Sequence, residues 1–336
     1  MNKPLNRQIS DPRVDKLLLQ ATGRTLEELI ALSREDDTLK VLKTYRDGLA
    51  LWEEATRDTK DRVIVTLDGR DTAGKGSNIK RVTYDLPNSR FTLKAFPKPT
   101  TIDRFEHNHF MKFMPFFPGE NGGITFFDRS WYNRAGVEAA MGFCTQEEYD
   151  WFMQNVAQFE KEQIIEQGIK FIKVYLSVTK STQKERLDLR KQRIRKRYKI
   201  SPIDQQAQEK WNYYTLAKAK ILELTDSKDA PWTVLDSNEK WLSAVEIIKA
   251  IINSNEEVSK IVGKKIDLTP DKGVVRTAKQ ELARMKKIGD FKNMKDDFHF
   301  RKLDESAEEE LQEIRSNLVF VPQSYSYREK KMKKDA

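Results

Sequence analysis

The chain has 336 residues, 38% hydrophobic and 34% charged, with a formal net charge of +9, three histidines and one cysteine, Cys144. A lone cysteine excludes an internal disulfide framework, and so few Cys and His argue against a structural zinc site. No apolar run is long enough to cross a bilayer, and MNKPLNRQISDPRVDK lacks the apolar centre of a secretory signal, so a cytoplasmic protein without a membrane partner is expected.

Residues 1–60 hold two amphipathic stretches, TLEELIALSRE and TLKVLKTYRDGLALWEEATRD, which predict an N-terminal helical extension. Strands are predicted at RVIVTL (62–67), FTLKAF (91–96), ITFF (124–127), KFIKVYLSV (170–178) and WTVLD (232–236). Short, near-continuous apolar runs suit strands buried on both faces of a parallel sheet. Between the third and fourth runs a helix is expected from Thr145, whose spacing to Glu148 makes a capping box. Trp151, Phe152, Val156, Phe159 and Ile164 follow at helical spacing, and Gly168 marks the stop. Strands alternating with helices predict an α/β protein with a mostly parallel five-stranded sheet in a domain over 61–254. Beyond it, 255–336 reads as a charged C-terminal appendage: a polar connector, a charged helix-like stretch and a Lys-rich end.

The first strand runs into Gly69-Arg70-Asp71-Thr72-Ala73-Gly74-Lys75-Gly76-Ser77. A strand, G-x-x-x-x-G-K and then a helix is the context of a phosphate loop, in which backbone N–H groups cradle phosphate and the lysine adds mobile charge. The alternative is a glycine turn that merely caps a helix. Two features depart from the common loop. Gly76 stands where a Ser or Thr normally holds magnesium, and Asp71 puts a carboxylate inside an anion cradle. Asp128 follows the third strand, where a phosphate-loop enzyme places a second acid for metal, and Arg129 and Arg134 come directly after it. Alone, such an Asp would more simply be a turn or helix cap.

Positive charge is concentrated. Residues 180–199, KSTQKERLDLRKQRIRKRYK, carry ten Lys or Arg against two acids, and with the basic tail REKKMKKDA they leave the rest of the chain near neutral. One such segment implies a polyanionic partner at one place, although on its own a run like this is usually a solvated helix face. Following the fourth strand, it is placed to serve as a lid over phosphates at about 180–204.

GRDTAGKG, FDRSWYNRAG with MGFC behind it, RYKISPID and DAPWTVLDSNEKW together resemble the polyphosphate kinase 2 family over residues 40 to 253. The resemblance implies a P-loop kinase-like three-layer α/β/α sandwich, thymidylate-kinase-like, with a helical lid. It also implies magnesium-dependent phosphate transfer between inorganic polyphosphate and nucleotides. Carried onto this sequence, Asp71, Lys75, Asp128, Arg129 and Arg134 would be catalytic, Asp71 and Asp128 holding the metal. Gly69, Arg70, Thr72, Ala73, Gly74, Gly76, Ser77 and Asn133 would bind phosphate or nucleotide. Arg90, Lys112, Arg190, Arg193, Arg197 and Lys199 would bind polyphosphate. The Asp and Trp of FDRSWYNR are similar to the branch that prefers nucleoside diphosphates, which favours ADP and GDP. The lid and NHFMKF depart from the family pattern, and residues beyond 253 have no match to its core. A homodimer or homotetramer is implied, with no specific nucleic acid.

The expected reaction is direct in-line attack of a nucleoside diphosphate on terminal polyphosphate, with cations neutralising two anionic reactants. Two rival readings are an ATP-dependent small-molecule or nucleotide kinase of the same fold and a nucleic-acid-binding P-loop ATPase. The second leaves the paired acids Asp71 and Asp128 without a role.

Overall fold

The structure, a computed structural model, describes residues 26–97, 109–192, 206–292 and 298–302, with side chains described from residue 37. Strand β1 (Arg62–Gly69) lies at the centre, and six of its eight residues are buried. Its side chains alternate between two cores, as a pleated strand requires. Val63, Val65 and Leu67 enter one apolar cluster and Ile64 enters the other.

On the first face pack α1 (Leu26–Thr59) through Leu42, Leu49 and Trp52, α2 (Lys75–Val82) through Ile79 and Val82, and α6 (Lys240–Asn253) through Ile247, Ile248 and Ile251. On the second face pack α3 (Gln146–Glu160) and α5 (Trp211–Thr225). Helices on both faces make the three layers expected of an α/β/α sandwich. The capping box that starts α3 is present: Glu148 N donates to Thr145 Oγ1 at 3.1 Å and Thr145 N donates back to the Glu148 carboxylate at 2.9 Å. That chain path ends beyond a wide turn at Lys161–Ile165, where Gly168 takes a φ of 69°.

The sheet runs β2-β3-β1-β4-β5-β6, with β2 Phe91–Ala95, β3 Gly123–Asp128, β4 Lys170–Ser177, β5 Trp232–Asp236 and β6 Val275–Thr277. The first five strands are parallel, at the five places predicted, and register aligns Leu67 with Asp128 and Gly69 with Leu176. The acid after β3 therefore lies level with the end of β1, where the phosphate loop begins. The chain leaves β1 towards one edge and later returns to build the other, which makes β1 a switch point of the kind where open α/β sheets bind ligands.

The expected five strands are six. After α7 (Glu256–Val262), β6 pairs antiparallel with β5, joining Leu235 to Val275, and α8 (Ala278–Lys287) follows it with Glu281 and Met285 buried. Residues expected in a C-terminal appendage thus complete the sheet. Three residues, VRT, are too short to carry an apolar period, which is why this strand escapes a pattern reading. The segment expected to form a lid begins with helix α4 (Lys180–Gln192), and its residues 193–204 lie outside the described residues.

The second core holds a buried ion pair. Lys173 Nζ on β4 donates to Glu160 Oε2 at 2.9 Å and to the Thr225 carbonyl at 2.9 Å, while the Trp131 indole donates to Glu160 Oε1 at 3.0 Å. This pair fixes Trp131, and through a 3.2 Å contact to Tyr132 Oη it also fixes the next residue. Breaking a buried pair from one side leaves the other charge unpaired. Lys173→Ala is therefore expected to lose about 3–5 kcal/mol of unfolding free energy in urea. The double change Lys173→Met with Glu160→Met should recover most of that loss.

Candidate active site

The loop from Gly69 to Ser77 joins the C-terminal end of β1 to the start of α2. Gly69 has a φ of 138°, and a Cβ there would stand 2.5 Å from the Leu176 carbonyl oxygen of β4. Only glycine fits against that backbone. Gly74, φ 106°, forms the N-cap of α2 without a side-chain cap, which leaves the first amides of the helix to other acceptors.

The loop is fastened on all sides by side chains bonded to its carbonyls. Gln183 Nε2 donates to Asp71 O at 3.1 Å, Arg186 Nη1 to Thr72 O at 3.0 Å, and Ser237 Oγ to Ala73 O at 2.7 Å. Arg186 Nη2 also donates to Ser237 O and Asn238 O, both at 2.7 Å, tying the loop to the turn after β5. Lys75 Nζ donates to the carbonyls of Gly69 at 2.9 Å and Arg70 at 3.1 Å. Burial and then the Arg129 charge pull the Lys75 pKa down, against the opposing field of Asp71, Asp128 and Asp68.

Those acids surround the lysine. Both oxygens of Asp71 are engaged: Arg129 Nη2 lies 3.0 Å from Oδ1, and Tyr214 Oη donates to Oδ2 at 3.3 Å. Asp128 Oδ2 lies 2.8 Å from the point a Cβ on residue 76 would occupy. Gly76 is thus not merely a missing hydroxyl; its bare α-carbon is what lets the β3 carboxylate come down onto the first turn of α2. Asp68 Oδ2 accepts from Ser130 Oγ at 2.7 Å, and burial pushes its pKa up to about 6 despite the Ser130 bonds. Arg129 is held with φ 74°, a left-handed conformation uncommon outside glycine, and its own N–H donates to Leu67 O at 3.2 Å. Asp68, Gly69, Asp71, Lys75, Arg129, Asn133 and three tyrosines, Tyr132, Tyr175 and Tyr214, line one cleft.

Several residues expected at the site are turned elsewhere. Arg134 is 2% exposed and packed between Glu138 at 2.9 Å and Glu148 at 3.5 Å, with Nη2 donating to His109 Nδ1 at 3.2 Å. It braces the turn after Asn133 from inside the core rather than reaching into the cleft. The Arg70 guanidinium stacks 3.6 Å from the Trp211 ring and donates to the Trp211 carbonyl at 2.8 Å and to Thr215 Oγ1; burial lowers its pKa to about 10. Its side chain anchors α5 instead of meeting phosphate. Arg90 precedes β2, at the edge of the sheet opposite the loop, and pairs with Glu53 at 2.7 Å. A basic residue before a strand is at the wrong end of a parallel sheet for this chemistry.

Lys112 lies 5.3 Å from the Phe113 ring centre, and Arg190 is half-buried on α4. Arg193, Arg197 and Lys199 lie outside the described residues. Asp68, Tyr175 and Tyr214 were missed. Asp68 carried a weak signal, an acid at the C-terminal end of the first strand, whereas Tyr214 is 143 residues from Asp71 and carried none.

Among the described residues no three acidic, His or Cys side chains close on one point as a metal cage. Asp71 and Asp128 are hard oxygen donors beside a phosphate loop, a donor set that fits a hard divalent cation.

The family model for polyphosphate kinase 2 matches residues 32–262. The chain belongs to the polyphosphate kinase 2 family. It is 32% identical over 281 residues to polyphosphate kinase PPK2B of Corynebacterium glutamicum, which covers 80% of this chain and 88% of that protein. The ADP-polyphosphate phosphotransferase of Pseudomonas aeruginosa is 35% identical over 223 residues, 64% of this chain and 72% of that one. The GDP-polyphosphate phosphotransferase of Mycolicibacterium smegmatis is 36% identical over 230 residues, 68% and 79%. The crystal structure of polyphosphate kinase 2 from Arthrobacter aurescens superposes with a TM-score of 0.60 at 25% identity, covering 70% of this chain and 82% of that one. A putative polyphosphate kinase 2 from Pseudomonas aeruginosa also gives 0.60, at 29% identity over 69% of this chain, which spans only 48% of that structure's chain. In this polyphosphate kinase 2 family member the phosphate loop, Asp128 and Arg129 all fall within the matched span.

Gly76→Ala should therefore push the Asp128 carboxylate off α2. Steady-state assays are expected to show a loss of roughly tenfold or more in kcat, in the range of small displacements of a positioned group. Thermal unfolding should shift by only a few degrees, consistent with about 1 kcal/mol.

Proposed function

We propose that this kinase transfers the terminal phosphate of inorganic polyphosphate to a nucleoside diphosphate, ADP or GDP, giving ATP or GTP reversibly with magnesium. The observation that carries the reading is the cleft itself. Lys75, Arg129, Asp68 and Asp71 line the cleft, and Asp128 places its charge beside the same lysine, at the C-terminal ends of β1 and β3 in a polyphosphate kinase 2 family chain. Relatives named for ADP and for GDP support either acceptor.

An oxygen of the acceptor's β-phosphate attacks the terminal phosphorus in line. The new P–O bond forms as the bridging P–O bond to the penultimate phosphate breaks, and the polymer leaves one unit shorter. Both reactants are anions, so the protein's task is neutralisation and alignment. The α2 amides and Lys75 bind the phosphates being exchanged. Arg129 has to leave Asp71 for a phosphoryl oxygen before that carboxylate can face a cation, so substrate entry exchanges one ion pair for another. Asp71 and Asp128 would hold magnesium, which would supply positive charge to the phosphates. Arg190 and the basic segment from α4 onward would track the polymer as a stripe of cations, with affinity falling as salt rises. The proposal includes a homodimer or homotetramer, in keeping with exposed Leu39 and Leu51 on α1 and Leu93 on the edge strand β2.

Incubation with ADP, magnesium and polyphosphate alone should form ATP; absence of ATP and GTP products with either diphosphate would sink the proposal and favour an ATP-dependent kinase. Asp71→Asn is expected to stay folded by circular dichroism and to lose about a hundredfold or more in kcat, the scale for removing one preorganised electrostatic group. Full turnover in that variant would remove Asp71 from the mechanism.

A further inference from the structure

Helix α5 touches the phosphate loop at two points. Trp211 and Thr215 hold the Arg70 guanidinium, and Tyr214 donates to Asp71. These residues, with Lys218, follow at positions i, i+3, i+4 and i+7, so they share one face of the helix. Lys218 is buried, and its Nζ donates to Ser177 Oγ at 2.8 Å and to Glu281 Oε1. It also lies 5.4 Å from the ring of Tyr175, which lines the cleft.

Glu281 comes from α8 and has no exposed surface. Arg284 brackets its carboxylate at 2.7 and 2.8 Å, Arg276 of β6 donates at 2.6 Å, and Ser177 Oγ at 3.3 Å. Burial alone would raise its pKa, yet Arg284, Lys218 and Arg276 hold it far below the usual carboxylate range. The other charges beside the cluster are Asp236 at the end of β5, 3.7 Å from Arg276, Asp290, whose charge acts on Arg284, and Arg70, whose charge acts on Lys218. Three cations from three elements therefore meet on one carboxylate, and without it they would repel one another, Lys218 from a buried position and the two arginines from partly exposed ones. Glu281 lies beyond the span matched by the family model, which ends at residue 262.

We propose that Glu281 is a positioning residue: by gathering Lys218, Arg276 and Arg284 it seats α5, and through Tyr214 and Arg70 it sets the phosphate loop and Asp71 for transfer. The C-terminal strand and helix are on this reading a working part of the active site. The inference rests on the cleft being the transfer site.

The test compares Glu281→Gln and Glu281→Asp with the unaltered protein, at a temperature where circular dichroism shows each fully folded. Glu281→Gln is expected to lower kcat about ten- to a hundredfold with KM for ADP and polyphosphate within about threefold, as for a misplaced group acting in the transition state. Glu281→Asp, which keeps the charge, should be intermediate, and it stands in if the Gln variant does not fold. Amide exchange in residues 70–75 should quicken in step. The control Glu246→Gln breaks the buried pair with Lys249 on α6, 2.8 Å long, and should cost stability while leaving kcat unchanged. Lower stability with kcat within twofold and unchanged loop exchange would overturn the proposal. If the unaltered protein makes no ATP, the function reading fails, and loop exchange alone decides the role of Glu281.

Discussion

The close approach of Asp128 to Gly76 is the constraint on which the rest of the site is arranged. Register puts Asp128 level with the end of β1, and the α2 N-terminus starts just beyond that point. A side chain at residue 76 would occupy the space that the carboxylate oxygen now fills, 2.8 Å away. In the common phosphate loop a hydroxyl at this position holds the metal from the helix side. Here a carboxylate oxygen from the neighbouring strand comes down on that position instead. Asp71 and Asp68 then crowd the same lysine, and the cradle becomes a mixed site in which anions and cations alternate.

Such a site is stable without substrate only if its charges compensate one another. Lys75 is bonded to two loop carbonyls, and Arg129 and Tyr214 occupy both oxygens of Asp71. Asp68 stays close to neutral at moderately acidic pH because burial disfavours its charge more than Ser130 favours it. The arrangement is self-satisfied. Phosphate must therefore displace internal partners of Lys75 and Arg129, and only the first amides of α2, which have no side-chain cap, are left to receive it directly. The left-handed backbone of Arg129 suits that exchange, since it aims the guanidinium back over the loop from a strand end that would otherwise point it away.

What the sequence made legible follows the reach of its signals. Strand runs, the Thr145 capping box and the glycine-lysine loop are local patterns, and each stands where it was expected. Arginines gave poorer guidance, because a guanidinium signals charge but not direction. Arg70, Arg90 and Arg134 all sit in or near motifs, yet each ends on a ring, a carboxylate or a histidine of the scaffold. A long side chain one residue along a strand or turn points to the opposite face, so motif membership alone does not place its tip. Tyr214 and β6 reach their partners only through tertiary packing, and nothing local announces them.

Scaffold and chemistry are hard to separate in this fold. A phosphate loop offers carbonyls and amides, not side chains, to most of its neighbours, so its shape is set by whatever bonds those carbonyls. Gln183 and Arg186 on α4 and Ser237 after β5 each hold one. Helix α5 holds the two side chains, Arg70 and Asp71, that the carbonyl contacts leave free to turn. Helix α5 is joined to the C-terminal helix α8 through Lys218, one turn beyond Tyr214, so packing of α8 bears on the same helix face that holds Arg70 and Asp71. On the role proposed for Glu281, the buried charge of Lys218 is thus part of how Asp71 keeps its aim.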